Sequence, residues 1–131
     1  MNLDILKIAS DTSNQKDLKK FTHIGRSKNS LCGDEIKIKL ILKKNKIVDL
    51  GYLVKSCIYC QASASILSEY LKKKDLSQLQ KTIEDINAIY DGKDKRLKNS
   101  LNKIFNKKNL KRKECIYLPI KSIKNALKLE Y

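Results

Sequence analysis

Arginine, aromatic side chains, glycine and proline are all scarce in this chain, and each shortage narrows what the sequence can be. The arginines are Arg26, Arg96 and Arg112, set against a formal charge of +15 from 29 basic and 14 acidic residues. So positive a surface ordinarily suggests a nucleic-acid or anionic-membrane partner. Sequence-reading and phosphate-clamping sites, however, favour the bidentate guanidinium over the lysine ammonium. Aromatics amount to 6%, too few for a base-stacking platform. Abundant Lys, Ile and Asn beside 4 Gly and 1 Pro fit a codon bias that leaves a solvated lysine surface. The expectation is therefore no nucleic-acid partner. No apolar run approaches the ~20 residues that cross a bilayer, and Met1-Asn2-Leu3-Asp4-Ile5-Leu6 has neither the basic nor the apolar region of a signal peptide. The expectation is no membrane and a cytoplasmic location.

What is present is enough for a folded chain. Hydrophobic residues at 41% and charged residues at 33% over 131 residues place it above disordered compositions and within the usual size of one domain, taken as residues 1–131. In a reducing compartment, four cysteines are more often ligands or reactive thiols than a disulfide framework.

Leu3 to Ala9 is apolar along one side and reads as a short helix. Ser10 to Ser30 is rich in Ser, Asn, Asp and Lys and reads as a long loop. From Glu35 to Leu42 the chain alternates, with Ile36, Ile38 and Leu40 on one face, which predicts a half-buried strand. Lys43-Lys44-Asn45-Lys46 predicts a turn, and Ile47 to Val54 the antiparallel return strand. After Cys57 the period becomes helical through Ala62, Ile66 and Tyr70. Asp75 and Gln78 form a capping box for a second helix that stops at Gly92. Leu97, Leu101, Ile104 and Phe105 suggest a third helix, Cys115 to Leu118 a short extended piece, and Pro119 the start of a last helix. A hairpin followed by helices gives an α+β class.

Cys32, Cys57 and Cys115 fall at element junctions, where side chains converge, and Asp34 adds a carboxylate across Gly33. Three thiolates and one harder oxygen suit Zn²⁺ or the irons of a small cluster. Cys57 precedes a helix N-terminus, where the dipole favours a thiolate. At this level buried structural thiols remain an equal alternative. Cys57-Ile58-Tyr59-Cys60 is also a CxxC, the motif of a thiol oxidoreductase. That motif belongs after the first strand of a βαβ unit, whereas an antiparallel hairpin precedes it here.

Three segments carry a resemblance to a known family. Cys32-Gly33-Asp34 before an alternating strand, Cys57 followed after four intervening residues by Ala62-Ser63-Ala64-Ser65, and Arg112-x-x-Cys115-x-x-Leu118-Pro119 together resemble the NifU/IscU/SufU family over nearly the whole chain. The resemblance implies a hairpin or small three-stranded antiparallel sheet packed against C-terminal helices. It implies a non-enzymatic scaffold for iron-sulfur cluster assembly, with Cys32, Asp34, Cys57 and Cys115 holding iron, a [2Fe-2S] cluster or Zn²⁺. The implied partners are a cysteine desulfurase that donates sulfur, with Cys57 and Cys115 as candidate persulfide acceptors, and apo-proteins that receive the cluster. A SufU-like alternative is a zinc-dependent sulfur acceptor with sulfurtransferase activity. The chain departs from the family at Ser56, where a glycine is usual, and at Glu114, where the IscU branch has histidine. It also lacks the LPPVK segment. Its one histidine, His23, lies in the predicted N-terminal loop.

Overall fold

A computed structural model describes residues 3–29, 33–97 and 99–128. The described chain runs α1 (Leu3–Ser10), β1 (His23–Asn29), β2 (Asp34–Lys43), β3 (Lys46–Lys55), α2 (Ile58–Leu71), α3 (Leu76–Tyr90), two 3₁₀ segments (Asn99–Lys103 and Lys107–Arg112) and α4 (Lys113–Leu127). The three strands form one antiparallel sheet in the order β1-β2-β3. The α+β class and the small sheet packed on helices are borne out.

The hairpin follows from its side chains. Ile36, Ile38 and Leu40 are buried on one face of β2, and Ile47, Leu50 and Tyr52 continue that face on β3. Between them Lys44 and Asn45 have φ of 50° and 63°, the left-handed pair a tight hairpin turn requires, which asparagine tolerates better than most residues. Helices α2 and α4 cover the apolar face, with α1 against the far side of α2. Helix α3 begins at the expected capping box: the Gln78 backbone N–H donates to Asp75 Oδ1 at 2.9 Å, and the Asp75 N–H donates to Gln78 Oε1 at 3.0 Å. Its C-terminus meets α4, where Tyr117 donates to Asn87 at 2.7 Å and packs edge-on against Tyr90.

Three expectations are corrected. Ser10 to Ser30 is not one loop, because His23–Asn29 is a strand paired with β2 from Asn29↔Asp34 to His23↔Leu40. It lacks apolar alternation because α4 rests directly on it. A Cβ on Gly25 would lie 1.9 Å from the Ser122 carbonyl oxygen and 2.6 Å from the Ala126 nitrogen. Ser27 meets the same helix through hydrogen bonds to the Leu118 carbonyl at 2.8 Å and the Ser122 hydroxyl at 2.6 Å.

The third helix is replaced by the 3₁₀ segments, although Leu101, Ile104 and Phe105 are buried as their spacing suggested. Asparagine side chains take the backbone groups an α-helix would use. Asn106 donates to the Asn102 carbonyl at 2.7 Å and caps Asn109 N–H, while Asn109 donates to the Ile104 carbonyl at 2.9 Å.

Finally, Cys115 to Leu118 is helical rather than extended, and Pro119 lies inside α4. A proline there has no N–H for the carbonyl four residues back, a cost of roughly 3 kcal/mol. The continuous buried stripe of Ile116, Ile120 and Ile123 offsets it.

Candidate metal centre

The site forms where one strand start and two helix starts meet. Asp34 opens β2, Cys57 is the N-cap of α2, and Cys115 lies in the first turn of α4. Their donor atoms, two sulfurs and a carboxylate oxygen, all lie within 4.8 Å of one another. The edge of a tetrahedron of sulfurs at the usual Zn–S distance is about 3.8 Å, so a modest side-chain contraction brings these donors onto one ion. Cys32 lies outside the described residues.

Local chemistry explains the convergence. The Cys57 backbone N–H donates to Asp34 Oδ1 at 3.1 Å, which fixes the carboxylate beside the cysteine. Cys57 has extended backbone angles (φ −69°, ψ 167°) and no side-chain cap, so its thiol is not consumed by the helix end. The first-turn N–H groups of both helices turn partial positive charge towards the sulfur donors. Asp34 and Cys115 are buried and Cys57 is half-buried, which leaves the group accessible from the Cys57 side.

Gly33 supports the turn into the site. Its φ of 72° is left-handed, while a Cβ there would meet nothing within 4 Å, so the demand is conformational rather than spatial. Ser56, where the family has glycine, is accommodated: its carbonyl accepts from the Gln61 side chain at 3.1 Å, and its hydroxyl donates to the Cys57 carbonyl at 3.0 Å.

The small-residue run of α2 acts at the same place. Ala62, Ser63 and Ala64 are almost wholly buried, and Ser63 donates to the Ile116 carbonyl at 2.6 Å. That bond locks the helix carrying Cys57 to the residue after Cys115. Ser65 donates to the Asp11 carbonyl at 3.0 Å and fixes the segment after α1. The guanidinium of Arg112 stacks over Tyr59 at 5.0 Å, bridging the starts of α4 and α2. Arg112 belongs to a sequence motif, whereas no motif marks Tyr59 or Gln61. Their one local signal is a position two and four residues after Cys57, within about one helical turn.

The remaining candidates are elsewhere. Cys60 is fully buried in the core, three residues into α2, and does not join the donor group. A CxxC dithiol would therefore have an inaccessible resolving sulfur, and Pro119 is in a helix rather than a loop facing Cys57. His23 sits at the other end of β1 from Asn29, six residues or about 20 Å away, with Nδ1 2.8 Å from the Thr22 hydroxyl. Glu114 is exposed beside Cys115. Among the described residues, no helix is long and apolar enough to cross a membrane.

The chain is similar to known proteins in sequence and in fold. The profile of the family described as the NifU-like N terminal domain matches residues 3–128. The iron-sulfur cluster assembly scaffold protein IscU of Thermotoga maritima is 29% identical over 127 residues, covering 95% of this chain and 89% of that protein. An uncharacterized protein of Borreliella burgdorferi is 36% identical over 103 residues, 75% of this chain and 70% of its own. Two solved structures share the fold. SufU of Fervidobacterium islandicum AW-1, a candidate scaffold of the SUF system, superposes with a TM-score of 0.84 at 20% identity, covering 97% of this chain and 96% of its own. The NifU-like N-terminal protein of Brucella abortus gives 0.87 at 15% identity, covering 97% and 91%.

Proposed function

Because the chain belongs to the NifU-like N-terminal domain family of iron-sulfur cluster assembly scaffolds, we propose that it builds a [2Fe-2S] cluster on Cys32, Asp34, Cys57 and Cys115 and passes it to apo-protein acceptors. The observation that carries this reading is the meeting of Asp34, Cys57 and Cys115 donor atoms at two helix N-termini. Iron and the cluster are cargo here, not a resident cofactor. Sulfur enters at the persulfide level by exchange with a cysteine desulfurase, and two electrons from an external reductant bring it to the sulfide of the cluster. A scaffold thiolate attacks the terminal sulfur of the desulfurase persulfide, a new S–S bond forms, the old one breaks, and the desulfurase cysteine leaves as thiolate. Cys57, half-buried beside two more buried donors, is the accessible acceptor, and Cys115 is the second candidate. Asp34 is the one donor that is not sulfur and the most readily exchanged, which suits release.

A second reading, a zinc-dependent sulfur acceptor for a desulfurase, draws on the same half-exposure of Cys57. A zinc ligand that can swing out of the set can take sulfur and return. Metal analysis of the purified protein, followed by anaerobic reconstitution with iron and sulfide, separates the two. Visible absorption of a cluster supports scaffolding. Tightly held zinc with stimulated desulfurase turnover and no cluster supports the alternative.

The site assignment has its own test. Cys57→Ala and Cys115→Ala should each abolish stable metal or cluster binding, while Cys60→Ala should retain the wild-type stoichiometry. Asp34→Ala should keep a cluster but slow its transfer to an acceptor, followed by absorption and circular dichroism. Equal loss in Cys57→Ala and Cys60→Ala would return the site to a dithiol.

A further inference from the structure

Among the described residues, the sheet face turned away from the helices is covered at one end and open at the other. Residues 16–21 cross it as a strap. Lys39 Nζ pairs with Asp17 at 2.7 Å, donates to the Leu18 carbonyl at 3.4 Å and sits over the Phe21 ring at 4.6 Å. A Cβ on Gly51 would come 2.6 Å from the Lys16 carbonyl oxygen, so the strap's backbone lies directly on the sheet there. Gly51 pairs with Lys39 and Lys39 with Ile24, which makes this one cross-strand row. The next two outward-facing rows, towards the thiols, are Arg26–Lys37–Leu53 and Lys28–Glu35–Lys55. They line an open depression of about 600 Å³.

These rows hold four cations and one carboxylate. Glu35 pairs with Lys28 at 3.2 Å, and Lys37 reaches Asp17 of the strap at 3.6 Å, while Leu53 is 40% exposed among them. The second row borders the thiol group, with the first beside it: Lys28 precedes Asn29, which pairs with Asp34, and Lys55 stands two residues before Cys57.

We infer that this patch docks an acidic segment of a partner protein bearing an aliphatic side chain, and so holds the partner beside Cys57. Charge complementarity attracts such a segment, and Leu53 gives its aliphatic group an apolar seat. A phosphate backbone fits less well. Leu53 among the cations offers a phosphate no partner, and Arg26 is the single guanidinium in the patch. The inference extends the scaffold reading by giving the chemistry of a partner surface, and rests on that reading only for the purpose of docking.

The probe is a synthetic peptide of alternating glutamate and leucine, titrated into the ¹⁵N-labelled full chain, with polyglutamate of equal length as control. Amide shifts should cluster on β1, β2 and β3 at Arg26, Lys37, Leu53 and Lys55. The pair Arg26→Glu with Lys55→Glu should weaken binding about tenfold, whereas Lys108→Glu with Lys111→Glu, the same charge change on the second 3₁₀ segment, should stay within about twofold. Leu53→Ser should abolish the preference for the leucine peptide over polyglutamate. Shifts spread over the lysine surface, or equal weakening by both pairs, would overturn the inference. So would duplex RNA displacing the peptide from these rows at about 0.15 M salt. Metal content is measured on the same variants. Unchanged metal with lost peptide binding is the expected result for the first pair, and metal loss in the cysteine variants is read independently.

Discussion

Strands β1 and β2 lie side by side under the same helix, yet they meet it with opposite chemistry. β2 presents Ile36, Ile38 and Leu40, side chains that fill the layer between sheet and helices. β1 presents Gly25 and Ser27, because α4 approaches so closely that its backbone occupies the space a side chain would take. Apolar alternation therefore marks a strand separated from its neighbour by interdigitated side chains. Where helix and strand backbones touch, the pattern turns small and polar, and it disappears from any hydrophobic reading. The difference bears on the site, since α4 carries Cys115 and its position over the sheet is set by β1.

Enlarging the small positions of β1 is the most severe way to break this comparison. Gly25→Val has no flexible neighbour to displace, since it meets the Ser122 carbonyl and the nitrogen and Cβ of Ala126. We expect a loss of at least about 3 kcal/mol in urea unfolding followed by circular dichroism. Any folded fraction should bind metal poorly, because α4 and with it Cys115 must shift away from Asp34. A loss under about 1 kcal/mol would mean that α4 moves freely over β1, and the site's geometry would need another explanation.

Truncating β2 should be next in size and should spare the site. Ile38→Ala removes a side chain that is 1% exposed, and the cost expected of such a buried truncation is about 3 kcal/mol. The cavity lies under the helices rather than at their N-termini, so metal stoichiometry below the transition should equal wild type. Parallel loss of stability and stoichiometry would show that the two strands support the site alike.

The same contrast accounts for what could be read from the sequence. The hairpin was legible because its turn and its face are each encoded locally, by Lys44-Asn45 and by the Ile36-Ile38-Leu40 spacing. The capping box of Asp75 and Gln78 was legible for the same reason: its partners are three residues apart. The convergence of Asp34, Cys57 and Cys115 was foreseeable from their junction positions and the family motifs, while Cys32 lies outside the described residues. β1 was not legible, since its signal is the absence of side chains against a helix 91 to 101 residues later. Nor were the 3₁₀ segments, where Leu97, Leu101, Ile104 and Phe105 keep helical spacing but asparagine side chains divert the backbone bonds. Pro119 misled because a start-of-helix proline and an interior one look the same until the helix's first residue is known. The Ser63 bond to Ile116 and the stacking of Arg112 on Tyr59 are long-range pairings that no local pattern contains.

The smallest expected effect concerns whether Ser27 merely fits beneath α4 or fastens it. Its hydroxyl donates to the Leu118 carbonyl, so its one proton is committed. The 2.6 Å approach of Ser122 is then best made by the Ser122 proton, and Ser122 Oγ is also 3.3 Å from the Ile36 carbonyl oxygen. Ser122 is fully buried, so the Ser27 oxygen gives its proton an acceptor in a place water does not reach. Ser27→Ala should cost about 1 kcal/mol, since it leaves the Ser122 hydroxyl only its longer bond. Ser122→Ala should cost a similar amount. The double variant should lose less than the two single losses added together, by about 0.5 kcal/mol or more, because the interaction can be removed only once. The measurement is a double-mutant cycle from urea unfolding. Strict additivity, or a Ser27→Ala variant as stable as wild type, would show that β1 needs only small residues at this face, and that its polar hydroxyl contributes nothing to holding α4 and Cys115 in place.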